Sequence, residues 1–188
     1  MSFVAGQRVT AGELNAINSV QIVQTSTLSA TTASVTITIP SGYGSLDLSW
    51  HARTTSANTS DNMLLRFNND SGANYDWQIV AGLNTTVTTT PSIGATSLLI
   101  GTAVGGTGTS GYFSNGVARI TGASQAASGH VLTVTGSWYA CWSNTAATSQ
   151  AGTTGGLYIP SASITSLTLL PAAGSFAAGS VFSLYGFN

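Results

Sequence analysis

The strongest constraint on the fold is an alternation of apolar and polar residues that recurs along the chain from Val20 onward. Successive side chains of a β-strand point to opposite faces, so alternate apolar residues line one face. Three runs show the pattern most clearly, with apolar positions at Val35, Ile37 and Ile39, at Leu46, Leu48 and Trp50, and at Met63, Leu65 and Phe67. The pattern predicts an all-β, antiparallel two-sheet sandwich, with a jelly-roll-like arrangement as its finer form.

Turn-forming residues divide the chain into about nine to eleven predicted strands. Residues 68–74 are dense in Asn, Asp and Gly and predict a hairpin loop between the Met63–Phe67 run and a strand over Tyr75–Ala81. Residues 82–95 are interpreted as a loop or a weak edge strand, and residues 145–156 as a loop of small residues. The apolar run Val181–Phe187 predicts a strand held inside a sheet.

The low number of charged residues limits the classes of partner that the chain can bind. Only 5% of the residues are charged, the net charge is −1 and there is no lysine, whereas about 25% is usual for soluble domains. Such a surface favours neither nucleic acid nor an anionic membrane. The single cysteine, Cys141, excludes an intramolecular disulfide and a cysteine-cluster zinc site. A neutral surface is more easily kept soluble when copies of the chain cover it, so we expect a homo-oligomer.

Residues 1–19 differ from the rest and are predicted to form a docking arm, followed by the β-sandwich domain over residues 20–188. Thr10 fits an N-cap and Glu13 the third helical position of a capping box, while Val9 and Leu14 fit a hydrophobic staple. The helix, with Leu14 and Ile17 on one face, is too short to be stable alone. Two hypotheses stay open: the arm packs on its own domain, or it docks on a partner.

Several groups of residues have the types that a catalytic or metal site requires. Asp47, Ser49 and His51 have the residue types of a catalytic triad, but alternate residues of one strand lie roughly 6.5 Å apart, beyond hydrogen-bond reach. Asp70, with its Asn neighbours at 68, 69 and 74, suggests turn chemistry rather than a calcium site. His51 and His130 are too isolated in sequence to predict a metal site. We therefore expect no enzymatic activity, no metal and no cofactor.

The tryptophans offer two interpretations. Exposed indole rings stack on sugars, whereas rings in phase with apolar neighbours pack in a core. The phase favours core packing for all four, which are Trp50, Trp77, Trp138 and Trp142. Cys141 falls on the opposite face of its strand from Trp138 and Trp142 and is expected to be packed rather than reactive.

Three stretches together resemble small structural proteins of tailed bacteriophages. They are Ala5-Gly6-Gln7-Arg8-Val9-Thr10-Ala11 with Leu14-Asn15, the stretch Arg66-Phe67-Asn68-Asn69-Asp70-Ser71-Gly72-Ala73-Asn74-Tyr75, and Phe176-Ala177-Ala178-Gly179-Ser180 with Leu184-Tyr185-Gly186. The resemblance implies a virion surface component, trimeric and attached to head or tail, and it carries no catalytic residues.

The leading hypothesis is a structural protein of the virion, of the capsid decoration, head fibre or minor tail type. It would attach to another virion protein through Val9, Thr10, Glu13, Leu14 and Ile17. The alternative is a carbohydrate- or receptor-binding module of a phage tail that binds a host-surface glycan. Buried tryptophans favour the first hypothesis and exposed tryptophans the second.

Overall fold

A computed structural model describes residues 20–123, 131–143 and 149–187. Within these ranges the chain forms twelve β-strands and no α-helix. The strands are β1 Val20–Thr27, β2 Val35–Thr38, β3 Ser45–Ala52, β4 Ser60–Phe67, β5 Tyr75–Leu83, β6 Thr86–Ala95, β7 Leu98–Val104, β8 Ser114–Thr121, β9 Leu132–Cys141, β10 Ser149–Tyr158, β11 Ser166–Pro171 and β12 Val181–Phe187.

The strands form two antiparallel sheets. One has eight strands in the order β1-β12-β3-β8-β9-β10-β5-β6, and the other has four in the order β2-β11-β4-β7. Apolar side chains of both sheets meet in one buried core, which includes Leu48, Leu65 and Leu184. The prediction of an all-β, two-sheet protein is confirmed, and the prediction that Val181–Phe187 lies inside a sheet is also confirmed, because β12 pairs with β1 and β3. The jelly-roll arrangement stays a prediction.

The predicted hairpin between β4 and β5 is wrong, because these two strands belong to different sheets. β4 pairs with β11 and β7, whereas β5 pairs with β10 and β6. The connecting residues Asn68 and Asn69 both have positive φ, at 51° and 54°. Asparagine tolerates this left-handed conformation, which turns the chain from one sheet toward the other. Turn-forming composition therefore identified the loop, but not which strands it connects.

The predicted loop over residues 145–156 is also wrong in its described part, because β10 occupies Ser149–Tyr158 between β9 and β5. Its small residues had suggested a loop. At 82–95, the edge-strand interpretation is confirmed, since β6 forms one edge of the larger sheet. Twelve described strands thus exceed the nine to eleven expected.

A row of large and small residues across the larger sheet explains the glycines of β8 and β10. Trp50 lies directly opposite Gly116, which lies opposite Trp138, which in turn lies opposite Gly152. A Cβ atom on Gly116 would overlap the Trp50 ring, and one on Gly152 would overlap the Trp138 ring. Each indole therefore lies over the glycine of the next strand. We call Trp50, Gly116, Trp138 and Gly152 the Trp–Gly row.

Strand β7 of the smaller sheet packs closely against this row. A Cβ on Gly101 of β7 would lie 2.8 Å from the Trp50 ring and 3.2 Å from Trp138 Cβ. In addition, the buried Thr154 hydroxyl donates a hydrogen bond of 2.8 Å to the carbonyl of Leu99. Glycine at position 101 lets the two sheets approach at the centre, and Thr154 joins them there by a polar contact.

The Trp–Gly row predicts a steric effect that depends on the face of β10. Gly152→Ala should lower the free energy of unfolding by about 1–3 kcal/mol, because the added methyl group must displace the Trp138 ring. The matched control is Gly155→Ala on the same strand, where an added Cβ meets nothing within 4 Å, and its effect should stay within about 0.5 kcal/mol. Urea unfolding followed by tryptophan fluorescence measures both, and equal losses would contradict the packing described.

Candidate functional site

The outer face of the eight-stranded sheet points away from the four-stranded sheet and is open. Its central row runs through the cross-strand neighbours Val117, Ser137, Thr153 and Val80. The side chains of Val117 and Val80 are 53% and 42% exposed. Beside them, 51%-exposed Tyr139 borders a shallow groove of about 490 Å³ that Ser49 and Asn115 also line. Small hydroxyl and aliphatic groups therefore dominate this face.

The triad-like residues have separate partners on the outer face. Arg119 donates two hydrogen bonds to the Asp47 carboxylate, at 2.7 and 2.6 Å. These bonds raise the pKa of Arg119 above its ordinary value. The imidazole of His51 instead stacks on Phe113, with ring centroids 4.8 Å apart. Asp47 and His51 thus lie on one face of β3, as predicted from the alternation, and they contact different neighbours.

Asp70 organises the turn between β4 and β5. Its carboxylate accepts hydrogen bonds from the Gly72 backbone N–H, the Asn74 side-chain amide and the Tyr158 hydroxyl, at 2.7, 2.8 and 3.1 Å. The predicted turn chemistry is confirmed, because these bonds close the turn on itself. The Gly72 bond, followed by the Asn74 bond, lowers the pKa of Asp70.

Two buried tyrosines connect this turn to the core. The rings of Tyr75 and Tyr158 stack with centroids 4.7 Å apart, and Tyr158 also stacks on Phe67. The Tyr75 hydroxyl donates to the Asp70 carbonyl at 3.0 Å and accepts from the Phe67 N–H at 3.1 Å. Burial, and then the nearby Asp70 carboxylate, raise the pKa of Tyr158 to about 12. Burial likewise raises the pKa of Tyr75 strongly.

Arg53 fastens the opposite end of the sandwich. Its guanidinium donates four hydrogen bonds to backbone carbonyls, namely those of Gly106, Gly108, Thr109 and Tyr112, at 2.7–3.1 Å. Its own carbonyl accepts a bond from the Ala177 N–H. The alternation along β3 indicates only that Arg53 is a polar residue beyond the end of the strand, and it assigns this residue no structural role. The signal it missed was the glycine-rich stretch after β7, whose carbonyls need donors once the loop folds back.

Asp61 is a buried acid near the same end. It is 7% exposed, and its two carboxylate oxygens lie 3.2 and 3.3 Å from the Ala173 N–H. Burial raises the pKa of Asp61, while hydrogen bonds from Ala173 and Thr54 act in the opposite direction. This residue positions the loop between β11 and β12. Nothing in the spacing of the five acidic residues had distinguished it.

The tryptophan prediction is confirmed for the two central rings, since Trp50 and Trp138 are 3% and 5% exposed. Trp77 is half-buried against the core. Trp142 follows the end of β9 and is also half-buried, so its predicted place in the core is only partly met. Cys141 is half-buried, and its thiol lies 3.2 Å from the Ser143 carbonyl.

Some predicted site residues fall outside the described ranges. They are His130 and the arm residues Val9, Thr10, Glu13, Leu14 and Ile17. Among residues 20–123, 131–143 and 149–187, no three His, Cys, Asp or Glu side chains converge as a metal site would require. Across the same ranges, no helix has the length and apolar character needed to cross a membrane.

Comparison with protein-family models and with curated proteins gives no match for this chain. Functional inference therefore depends on the residues and surfaces described above.

The two stacked tyrosines predict unequal effects of removing a hydroxyl. Tyr75→Phe should cost about 1–3 kcal/mol of unfolding free energy, because it leaves the buried Phe67 N–H without an acceptor. Tyr158→Phe removes one of three donors to a partly exposed carboxylate and should cost less, about 1 kcal/mol or below. Chemical denaturation of both variants checks the order, and a larger loss for Tyr158→Phe would contradict it.

Asp61 and Asp70 predict opposite pH dependences. The lowered pKa of Asp70 stabilises the fold above pH 3.8, and that stabilisation is lost as the pH falls through the folded-state pKa. The raised pKa of Asp61 favours the fold below pH 3.8, and that contribution is lost as the pH rises through its folded-state pKa.

The stability gap between wild type and Asp70→Asn should therefore shrink on going from pH 7 to about pH 3. The gap between wild type and Asp61→Asn should shift in favour of wild type over the same interval. Urea unfolding at a series of pH values measures both gaps. Movement of the two gaps in the same direction would show that one assignment is wrong.

Proposed function

We propose that this chain is a structural component of a tailed-bacteriophage virion, displayed on the particle surface as a capsid decoration, head fibre or minor tail protein. Residues 20–188 are the displayed β-sandwich domain. Residues 1–19 form a short helical arm that binds another virion protein through Leu14 and Ile17, with Val9, Thr10 and Glu13 shaping its first turn. The domain assembles with copies of itself as a homotrimer.

The observation that carries this proposal is the neutral, open outer face. Its central row consists of valine, serine and threonine, and its charged groups have local partners: Asp47 binds Arg119, and Asp76 accepts a bond from the Gly94 N–H at 2.7 Å. A face of this kind presents little charge to repel a neighbouring protein. It suits a protein that is surrounded by others in an assembly. The resemblance of three sequence stretches to phage structural proteins supports a phage particle as this assembly.

The burial of the central tryptophans also bears on the choice between hypotheses. The carbohydrate-binding alternative depended on exposed indole rings, and Trp50 and Trp138 are instead committed to the core. One observation still favours that alternative: half-exposed Tyr139 lies beside Ser49 and Asn115 in the groove on the outer face. An aromatic ring flanked by hydroxyl and amide groups is a surface that a sugar ring can stack on. Glycan-array binding that is abolished by Tyr139→Ala would favour this second function.

Deletion of residues 1–19 tests the proposed attachment. If the arm binds a partner rather than its own domain, the truncated protein should keep the melting temperature of the full chain, because the deletion then removes no contact from the β-sandwich. It should fail to enter particles when it is supplied during infection in place of the full chain. Gradient-purified particles probed for the protein measure incorporation, and calorimetry measures the melting temperature.

Point variants separate attachment from folding. Leu14→Asp and Ile17→Asp place a charge on the apolar side of the predicted helix and should reduce incorporation strongly. Ala16→Asp, on the opposite side of that helix, is the matched control and should be incorporated normally. A truncated chain that melts normally and still enters particles would overturn the proposed attachment. A melting temperature lowered by several degrees would show that the arm packs on its own domain.

A further inference from the structure

A groove of about 350 Å³ opens between the two sheets at the end of the sandwich where β1 begins. The residues that line it, which we call the end groove, include Ile39, Pro40, Tyr43, Ala123, Ser163 and Ile164. On the side of the smaller sheet, Ile39 follows β2 and Ile164 precedes β11. On the side of the larger sheet, Tyr43 precedes β3 and Ala123 follows β8. The groove is thus formed where strands of both sheets end.

The end groove leaves part of the apolar core open to solvent. Ile39 belongs to the core, and Tyr43, Ala123 and Ile164 are partly buried and pack against it. None of the described residues that line the groove carries a charge. The groove is also more enclosed than those of the outer face. Since an apolar cavity of about 150 Å³ already holds a benzene molecule, the end groove has room for aliphatic side chains, and filling it would remove apolar surface from water.

The first described residues of the chain lie beside this groove. Val20 pairs with Phe187, whose carbonyl accepts a hydrogen bond of 2.8 Å from the Gly44 N–H. The Tyr43 hydroxyl donates a hydrogen bond of 2.9 Å to the side-chain oxygen of Gln21. Tyr43 therefore contacts the start of β1 and lines the end groove at the same time. The chain that precedes Val20 consequently begins at the edge of the groove.

Residues 1–19 supply apolar side chains within reach of the end groove. Outside the described ranges, residues 124–130 and 144–148 contain no apolar side chain larger than alanine. In residues 1–19, the large apolar residues nearest to Val20 are Ile17 and Leu14. Three residues of extended chain span about 10 Å, which is enough to carry Ile17 from the start of β1 into the groove. Leu14 lies about 4.5 Å further along the predicted helix, on the same side.

We infer that Leu14 and Ile17 pack into the end groove of their own domain in the isolated protein, so that the arm covers the open end of the core. The predicted helix is too short to be stable alone, and the groove provides an apolar contact close to the point where the arm joins the domain. The short connection to Val20 favours this contact within one chain, because a segment on a short linker has an effective concentration in the millimolar range.

Packing in the end groove regulates the attachment to the virion, and this step rests on the proposed function. The same two side chains cannot fill the groove and bind another virion protein at once. The virion partner must therefore displace the arm, and its apparent affinity falls in proportion to the fraction of arms that are free of the groove. Deletion of residues 1–19 should then lower the melting temperature and also prevent incorporation, because the arm makes the two contacts in turn.

Melting temperatures of full-length variants test the packing. Leu14→Asp and Ile17→Asp should each lower the melting temperature by about 2–4 °C, because each places a charge against an apolar groove. Ala16→Asp, on the opposite side of the predicted helix, is the matched control and should leave it unchanged. The shifts should be independent of protein concentration, because the contact lies within one chain. Equal melting temperatures for the wild type and all three variants would overturn the inference.

A disulfide tests the same contact by position. In a Cys141→Ser background, Ile17→Cys and Ser163→Cys should form an intrachain disulfide on oxidation with copper phenanthroline. The matched control replaces Ser163→Cys by Ser110→Cys, at an exposed serine near the Arg53 end of the sandwich, and should stay reduced. Non-reducing electrophoresis and thiol counting measure both. A disulfide between two chains would overturn packing on the own domain and assign the groove to the arm of a second copy.

The two forms of the disulfide variant separate the inference from the proposed function. The oxidised chain should not attach to particles that lack the protein, whereas the reduced chain should attach, because cysteine is itself a small apolar residue. Equal attachment of both forms would overturn the displacement step. An intrachain disulfide no more frequent than in the control would overturn the packing. In either case, incorporation of the chain without residues 1–19 still decides the proposed virion attachment independently.

Discussion

The close packing of two indole rings over two glycines holds the centre of this protein together. Trp50 and Trp138 supply large apolar surfaces. Each ring lies over the adjacent strand, and it fits there only because the residue beneath it is glycine and has no side chain. Gly116 and Gly152 provide that space, and Gly101 lets the facing strand approach both rings. The two indole N–H groups have no hydrogen-bond acceptor in the described chain.

The ends of the sandwich depend on a few charged groups that act on the backbone. At one end, Arg53 and Asp61 bind loop carbonyls and a loop N–H respectively. At the other end, Asp70 closes a turn from within. Only 5% of the chain is charged, and Arg53, Asp61 and Asp70 each form hydrogen bonds with groups of the chain itself. Loops that would otherwise carry unpaired carbonyl and amide groups are fixed by ionic donors and acceptors.

Strands with alternating apolar and polar side chains were predicted correctly from the sequence. The glycine-rich strand β10 was not, because glycine does not contribute to such an alternation. Leu46, Leu48 and Trp50 lie in the core as the alternation required. Residues 145–156 were interpreted as a loop because they are small. In the fold, Gly152 of β10 leaves space for the Trp138 ring, and this role is visible only once the neighbouring strand is known. The β4–β5 hairpin failed for another reason: Asn68 and Asn69 mark a turn equally well within a sheet or between two sheets. The roles of Arg53 and Asp61 depend on contacts across more than fifty residues, which spacing does not reveal.

The pairing of β1 with β12 has a consequence for how the molecule is made. The first described strand finds its neighbour only in a segment more than 150 residues later. Strands also pass repeatedly from one sheet to the other, so neither sheet is completed from a local stretch of chain. During synthesis, the backbone hydrogen-bonding groups of β1 have no partner strand until β12 has been made. Completion of the larger sheet is therefore a late event, and a chain truncated before β12 would leave β1 without a partner and one edge of β3 open, which favours aggregation.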